Sequence, residues 1–235
     1  MKLIVNGDDL GYTRGNTYGI FQAYREGILR STTALANSPY FEDAIRTAQN
    51  EYPGLGIGVH LTLTLGKPLL ESRTLRDPET GAFFKQKKLW EQNIDYDEVY
   101  AEWKAQIDRF IEVSGRKPTH MDSHHHVYEK TPQALAAAAR LADEYGLAMR
   151  GHGTFAFVSS FSGPSATKDG LIGILAENRE RDIELMCHPG WCDLELYRQS
   201  SYALERVKEL DVLCDPEVME YIEEHHIELC HYEAK

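Results

Sequence analysis

The chain has little of what would send it to a membrane or to nucleic acid. Its 235 residues hold no apolar run near the ~18 residues that a membrane-spanning helix needs. Basic residues are in the minority. Lys and Arg number 25 against 37 Asp and Glu, a formal net charge of −12. That balance repels phosphate backbones and anionic lipid, so neither nucleic acid nor a membrane is an expected partner. Cysteine is scarce, with four residues and no C-x-x-C pair. Such thiols suit a reducing compartment. Cys187, Cys192 and Cys230 with His231 could in principle be gathered into a structural zinc site, but their spacing matches none of the common zinc patterns. The opening MKLIVNGDDLG has neither the long apolar region nor the small-residue cleavage site of a secretory signal. A cytoplasmic protein that begins on a strand is the expectation. Low-complexity segments and internal repeats are also missing.

What is present is a regular alternation. Apolar residues make up 42% of the chain, enough for a sizeable core. Short β-rich runs occur at Leu3–Asn6, Thr32–Asn37, Ile57–Leu63, Pro118–Asp122, Leu147–Arg150, Thr154–Val158, Ile183–His188 and Ile227–Tyr232. Apolar residues at helical spacing fall between them at Tyr18–Ile28, Tyr40–Ala48, Tyr96–Val113, Pro132–Tyr145 and Glu217–His225. Thr131-Pro132 reads as a helix start and Gly146 as a helix stop. Strand–helix alternation predicts an α/β fold with a parallel sheet, a closed or nearly closed (β/α) barrel, in a single domain over 1–235. Gly66–Asp95 and His152–Lys168 break the rhythm. Loops this long inside a compact domain are commonly functional, and both follow strands, so both are expected on one face.

Four clusters carry chemistry. Asn6-Gly7-Asp8-Asp9 ends the first strand with two adjacent acids, which are costly together unless a cation or proton compensates. Helix capping is the plainer account of them. His60 sits in an alternating apolar strand, where a hydrogen-bonded core histidine is the ordinary outcome. The run His120-Met121-Asp122-Ser123-His124-His125-His126 is the strongest signal, with four of the ten histidines in seven positions. Neutral imidazole is the commonest side-chain ligand for transition metals, and an acid such as Asp122 can orient a ligating ring. Cys187-His188-Pro189-Gly190 presents a histidine at a strand end. Asp8, Asp9, Asn37, His60, His124, Arg150 and His188 all fall at or near C-terminal strand ends, the face on which (β/α) barrels assemble active sites. One Asp and two His leave coordination positions open, as a catalytic metal requires. Mixed imidazole and carboxylate donors suit zinc, iron, cobalt or nickel, and a hydrated magnesium also fits.

The segments NGDDLGYTRGNTYGI, IGVHLTLTLGKPL, GRKPTHMDSHHHVY, LMCHPG and SSYALERVKELDVL resemble the YdjC-like carbohydrate deacetylases, a family that includes chitooligosaccharide (diacetylchitobiose) deacetylases. The likeness runs along nearly the whole chain. Leu10 stands where a Phe is usual and Tyr128 where a further His is common. The resemblance implies a distorted TIM-like (β/α) barrel and one divalent metal ion, Mg²⁺ or Zn²⁺, held by Asp9, His60 and His124. Asp8 then corresponds to the general base and His188 to the general acid. Asn37, Asp122, His126, Arg150 and Pro189 are the expected substrate contacts, with Arg150 or a backbone N–H helping at the oxyanion. The implied reaction is removal of acetyl groups from N-acetylated sugars in carbohydrate metabolism and chitin degradation, with acetate released. A homodimer is the expectation for assembly. Phe83, Phe84, Trp90 and Trp191 are candidates for stacking on sugar rings or for loop packing. Two alternatives keep the same barrel: a sugar isomerase or phosphoester hydrolase, and an inactive sugar-binding regulator.

Overall fold

The computed structural model describes residues 1–233. Its eight strands are β1 (Lys2–Leu10), β2 (Ser31–Ala34), β3 (Gly56–Leu61), β4 (His120–Ser123), β5 (Ala148–Met149), β6 (Ala156–Val158), β7 (Ile183–Cys187) and β8 (Glu228–Cys230). Each falls on a run that the sequence marks as β. All pairings are parallel, in the spatial order β5-β4-β3-β2-β1-β7-β6. β8 lies along the start of β1, at Lys2–Ile4, and β2 along its end. Strands β1, β2, β3, β4 and β7 are buried almost throughout, as expected where helices cover a curled sheet.

The curl nearly closes. Among the described residues no ladder joins β5 to β6, yet the two edges stand close together. The Arg150 guanidinium, just after β5, lies 5.6 Å from the centre of the Phe157 ring on β6. The Gly151 N–H donates to Glu184 on β7 at 2.5 Å. The architecture is thus a distorted, open TIM-like barrel in a single domain, as the alternation predicts.

Among the described residues ten α-helices pack around it: α1 (Arg14–Glu26), α2 (Phe41–Glu51), α3 (Gln86–Trp90), α4 (Tyr96–Ser114), α5 (Val127–Lys130), α6 (Pro132–Tyr145), α7 (Lys168–Glu177), α8 (Leu194–Gln199), α9 (Leu204–Leu213) and α10 (Pro216–Glu224). Several ends are written in the sequence. Thr131 caps α6 by accepting the Ala134 N–H, Pro132 occupies its first turn, and Gly146 ends it at φ 66°. Asp95 caps α4 and the left-handed Gly115 closes it. Helices α3, α5, α7, α8 and α9 are not evident from periodicity. The reason is clearest for α9, whose buried face mixes Leu210 and Leu213 with Arg206 and Glu209, so its apolar stripe is interrupted by charge.

Both long loops lie at the C-terminal rim of the barrel. The first brings Lys85, Gln86 and Lys87 to the central cavity, and the second brings Ser162. A small apolar cluster of Tyr12, Leu35, Leu196 and Ala203, separate from the main core, packs beneath this rim. No helix of the described residues is long and apolar enough to cross a membrane. The four cysteines are unpaired, and among the described residues they enter no metal-binding group. Cys187 and Cys230 point to backbone carbonyls of Asn6 and Leu3 instead.

Candidate metal centre and its cavity

The site begins with an irregularity in β1. Gly7 pairs with Thr32 and Leu10 with Ala34, so three steps on β1 face two on β2. The extra residue makes a bulge, and Asp9 within it takes φ +73°. In a regular strand Asp8 and Asp9 would point to opposite faces. Here both carboxylates reach the same cavity. Positive φ on a residue with a side chain carries strain, and bulges that re-aim side chains are frequent beside active sites.

Three donor atoms converge at the bulge. Asp9 Oδ1 lies 3.1 Å from His60 Nε2 and 3.0 Å from His124 Nδ1, and the two ring nitrogens are 3.3 Å apart. Donors that share one ion at about 2.0–2.2 Å are separated by roughly 3.0–3.4 Å. The measured triangle has that size. His60 comes from the end of β3, and His124 follows β4, where the chain turns through two left-handed residues, His125 and His126. The other nitrogen of His60, Nδ1, meets Asp122 Oδ1 at 2.6 Å, which turns Nε2 toward Asp9.

The charge balance also fits a cation. Asp8, Asp9 and Asp122 are buried with two guanidiniums, Arg150 and Arg206. Arg150 holds Asp8 Oδ1 at 2.5 Å, Asp8 Oδ2 at 2.8 Å and Asp122 Oδ2 at 2.6 Å. Arg206 donates to Asp9 Oδ2 at 2.7 Å and to Asn16 Oδ1 at 3.0 Å. One negative charge is left over. Burial alone would depress the His60 pKa, but Asp122 and Asp9 override it and hold it up to about 10. A proton thus settles where a metal ion would bind. A second grouping, Asp8, His60 and Asp122, shares His60 with the first, and the Arg150 guanidinium already bridges its two carboxylates.

Asp8 and His188 flank this centre. Burial raises Asp8, but the Arg150 charge and hydrogen bonds more than reverse the effect and keep it ionised, well below the usual carboxylate range. His188 Nε2 stands 3.9 Å from Asp8 Oδ2. Desolvation pushes His188 down to about 4, so its imidazole is neutral at pH 7. Among the described residues its Nδ1 is buried without a partner. The residue is held by its surroundings: the His188 backbone N–H donates to the buried Glu209 carboxylate, and the Tyr202 ring meets the imidazole edge-on at 5.7 Å. Tyr202 also donates to Glu209 and accepts from the Gly163 N–H at 2.6 Å. The following turn packs directly on α1, because a Cβ on Gly19 would sit 2.5 Å from the Gly190 Cα.

The centre opens into a cavity of about 650 Å³, lined among others by Asp8, Asp9, Tyr12, His60, His124, His126, His188, Tyr202 and Arg206. Of the expected substrate contacts, His126 lines it and Asn37 lines a neighbouring cavity. Asp122, Arg150 and Pro189 line neither. Asp122 is wholly buried, its oxygens engaged by His60, Thr33 and Arg150. Arg150 is buried behind Asp8, so a direct role at the oxyanion is not what its position offers, and Pro189 packs on β1 beside Gly7. The aromatic candidates also lie elsewhere. Phe83 and Phe84 are buried, Trp90 packs on the core, and Trp191 is exposed with its Nε1–H on Gln22. Tyr12 and Tyr202 are the aromatics of the cavity wall.

Tyr12, Tyr202, Arg206 and Glu209 escape a reading of the sequence by residue type. The last two stand three positions apart in α9, inside the segment SSYALERVKELDVL, and only burial of that helix face marks them.

Comparisons with known proteins give the family. A carbohydrate deacetylase of Enterococcus faecalis (strain ATCC 700802 / V583) is 37% identical, over 99% of this chain and 97% of its own length. A chitooligosaccharide deacetylase of Salmonella paratyphi B is 40% identical, over 90% of each chain. A crystal structure from Enterococcus faecalis V583 superposes with a TM-score of 0.93 at 37% identity, covering 99% of this chain and 97% of that one. A family 4 carbohydrate esterase from Streptomyces lividans, solved with acetate, shares the fold at a TM-score of 0.56 and 13% identity, covering 96% and 90%. The YdjC-like protein family matches residues 2–224, and the chain belongs to that family.

Proposed function

We propose that the chain is a metal-dependent carbohydrate deacetylase that hydrolyses the acetamide of N-acetylated sugars, with Asp9, His60 and His124 holding one divalent ion. The observation that carries this reading is the 3.0–3.3 Å triangle of Asp9 Oδ1, His60 Nε2 and His124 Nδ1, set beside Asp8 and His188 at one end of a sugar-sized cavity. The names of the relatives, carbohydrate deacetylase and chitooligosaccharide deacetylase, support the substrate class. N-acetylglucosamine oligosaccharides such as diacetylchitobiose are the substrates we favour.

When bound, a divalent ion supplies Lewis-acid polarisation of the acetamide carbonyl and activation of the attacking water. The rest falls to this chain's own groups. Arg150 keeps Asp8 ionised and fixes its carboxylate toward the cavity, where Oδ2 takes a proton from the water. His188 Nε2, 3.9 Å away and neutral at rest, is the next station for that proton. From Nε2 it reaches the nitrogen of the departing sugar amine, and acetate is the other product. Asp122 touches no substrate and holds His60 in place, and Arg206 holds Asp9.

A phosphoester hydrolase commonly uses two metals. Among the described residues both candidate groupings depend on His60, and His125 Nδ1 is occupied by Thr64 Oγ1 at 2.9 Å, so one ion is the better-supported count. The test is acetate release from a panel of N-acetylated sugars by metal-stripped and metal-reloaded protein. Acetate that appears only on reloading is expected. Equal release by the stripped protein, or none from any sugar after reloading, would overturn the proposal.

A further inference from the structure

After β8 the chain turns across the floor of the barrel, at the N-terminal ends of its strands. β8 lies along Lys2–Ile4 of β1, and His231 and Tyr232 follow directly. Two glycines in the fully buried strand β3 leave room for this turn. A Cβ on Gly56 would sit 2.6 Å from the His231 Cβ, and one on Gly58 would sit 2.5 Å from His120 Cε1. Glycine inside a strand weakens it, and the close approach of another group is a common reason for one. The Tyr232 ring stacks on the His120 imidazole, with 3.7 Å between ring centres and 13° between planes. Its hydroxyl then reaches Glu184, so one residue spans the floor from β4 to β7.

Glu184 is buried near the start of β7, and among the described residues its carboxylate accepts two hydrogen bonds. Tyr232 donates to Oε2, and the Gly151 N–H donates to Oε1 at 2.5 Å. Gly151 follows Arg150 and takes φ +75°. The Arg150 backbone is held on its other sides as well. Its N–H donates to the Met121 carbonyl at 3.0 Å, and its carbonyl accepts the Tyr128 hydroxyl at 2.9 Å. From this fixed backbone the guanidinium reaches Asp8 and Asp122. A continuous line of contacts thus runs from the Tyr232 hydroxyl through Glu184, Gly151 and Arg150 to Asp8. Loss of the hydroxyl leaves a buried carboxylate oxygen without its donor, which costs more than an ordinary hydrogen bond contributes.

The structure assigns Tyr232 as a positioning residue for the base: from the floor of the barrel it holds Arg150, and through Arg150 it holds Asp8. That role rests on the deacetylase reading, whereas the line of contacts to Arg150 does not. Tyr232 lines neither the catalytic cavity nor its neighbour, so substrate does not meet it. Its effect falls on kcat, and substrate binding and metal affinity are left alone.

The test uses Tyr232→Phe, which keeps the stack on His120 and removes only the hydroxyl. With diacetylchitobiose and the metal-loaded enzyme, kcat should fall about 10-fold at wild-type KM and metal content, as for a slightly misplaced catalytic group. In a Glu184→Ala background the same change should lower kcat no further. Tyr232→Phe alone carries the test if Glu184→Ala does not fold. Wild-type kcat in Tyr232→Phe, even at a lower Tm, would reduce the residue to packing and overturn the assignment. Loss of metal, a change confined to KM, or additive effects in the double variant would do the same. NMR of ¹⁵N-labelled, metal-loaded protein separates this from the parent reading. The Arg150 guanidinium N–H signals, assigned against Arg150→Lys, should shift and exchange faster with water in Tyr232→Phe. If wild type releases no acetate yet those signals move, deacetylation fails and the link to Arg150 stands. Signals that stay in place remove the link, whatever the activity.

Discussion

His60 Nδ1 lies 2.6 Å from Asp122 Oδ1, and this one contact decides which ring nitrogen faces Asp9. Asp122 is anchored in turn by Thr33 at 2.9 Å and Arg150 at 2.6 Å, so the imidazole is oriented by a buried chain of charge. Asp122→Asn should therefore weaken metal affinity by about 10–100-fold while the fold survives, the usual effect of removing an orienting carboxylate. A metal titration of the variant checks this. Affinity equal to wild type would mean that His60 needs no such partner.

His60→Ala and His124→Ala each remove one corner of the donor triangle. Both variants should lose bound metal and nearly all activity but keep a wild-type circular dichroism spectrum. Elemental analysis after dialysis provides the readout. Stoichiometric metal in either variant would strike that residue from the ligand set.

The adjacent acids should separate cleanly. Asp8→Asn should retain metal yet lower kcat by roughly 10²–10⁴-fold with little change in KM, because an amide cannot accept the proton. Asp9→Asn should weaken metal binding, and excess metal should partly restore its activity. Metal content and kcat measured side by side decide the matter, and loss of metal in Asp8→Asn with retention in Asp9→Asn would exchange the two roles.

The contrast between these two residues shows what a sequence can and cannot carry. All eight strands are legible because period and turn residues are local signals, and the histidine cluster after β4 is legible because imidazoles replace turn residues there. That Asp8 and Asp9 share one cavity follows from the family resemblance but not from the strand pattern. It depends on a bulge set by the register of β1 against β2, a tertiary fact. Alternation along a strand would have separated them. Arg150 is conspicuous at a strand end and invites a substrate role, but its burial behind Asp8 follows only from the curl that brings β5 near β7. Glu209 shows the opposite case, a charged residue that looks like the wet face of a helix and is wholly buried.

That buried carboxylate gives the last prediction. Glu209 accepts the backbone N–H of His188 and the hydroxyl of Tyr202, and burial pushes its pKa up to about 7. A carboxyl whose folded pKa exceeds its unfolded value of about 4.3 contributes stability that is fully present below the unfolded value and lost as pH rises through the folded one. Relative to Glu209→Gln, wild type should therefore lose up to ~3 kcal/mol between about pH 4.5 and pH 8, at roughly 1.4 kcal/mol per pH unit. Parallel denaturant titrations across that range measure the difference. Glu209→Gln keeps an acceptor for the His188 N–H and should retain most of kcat, whereas Glu209→Ala frees the His188 backbone and the Tyr202 ring together. The alanine variant should lose kcat more than KM at wild-type metal content if His188, the group displaced, delivers the proton as proposed. A stability difference that is flat with pH would show that Glu209 titrates normally, and equal kcat in both variants would show that it does not position His188.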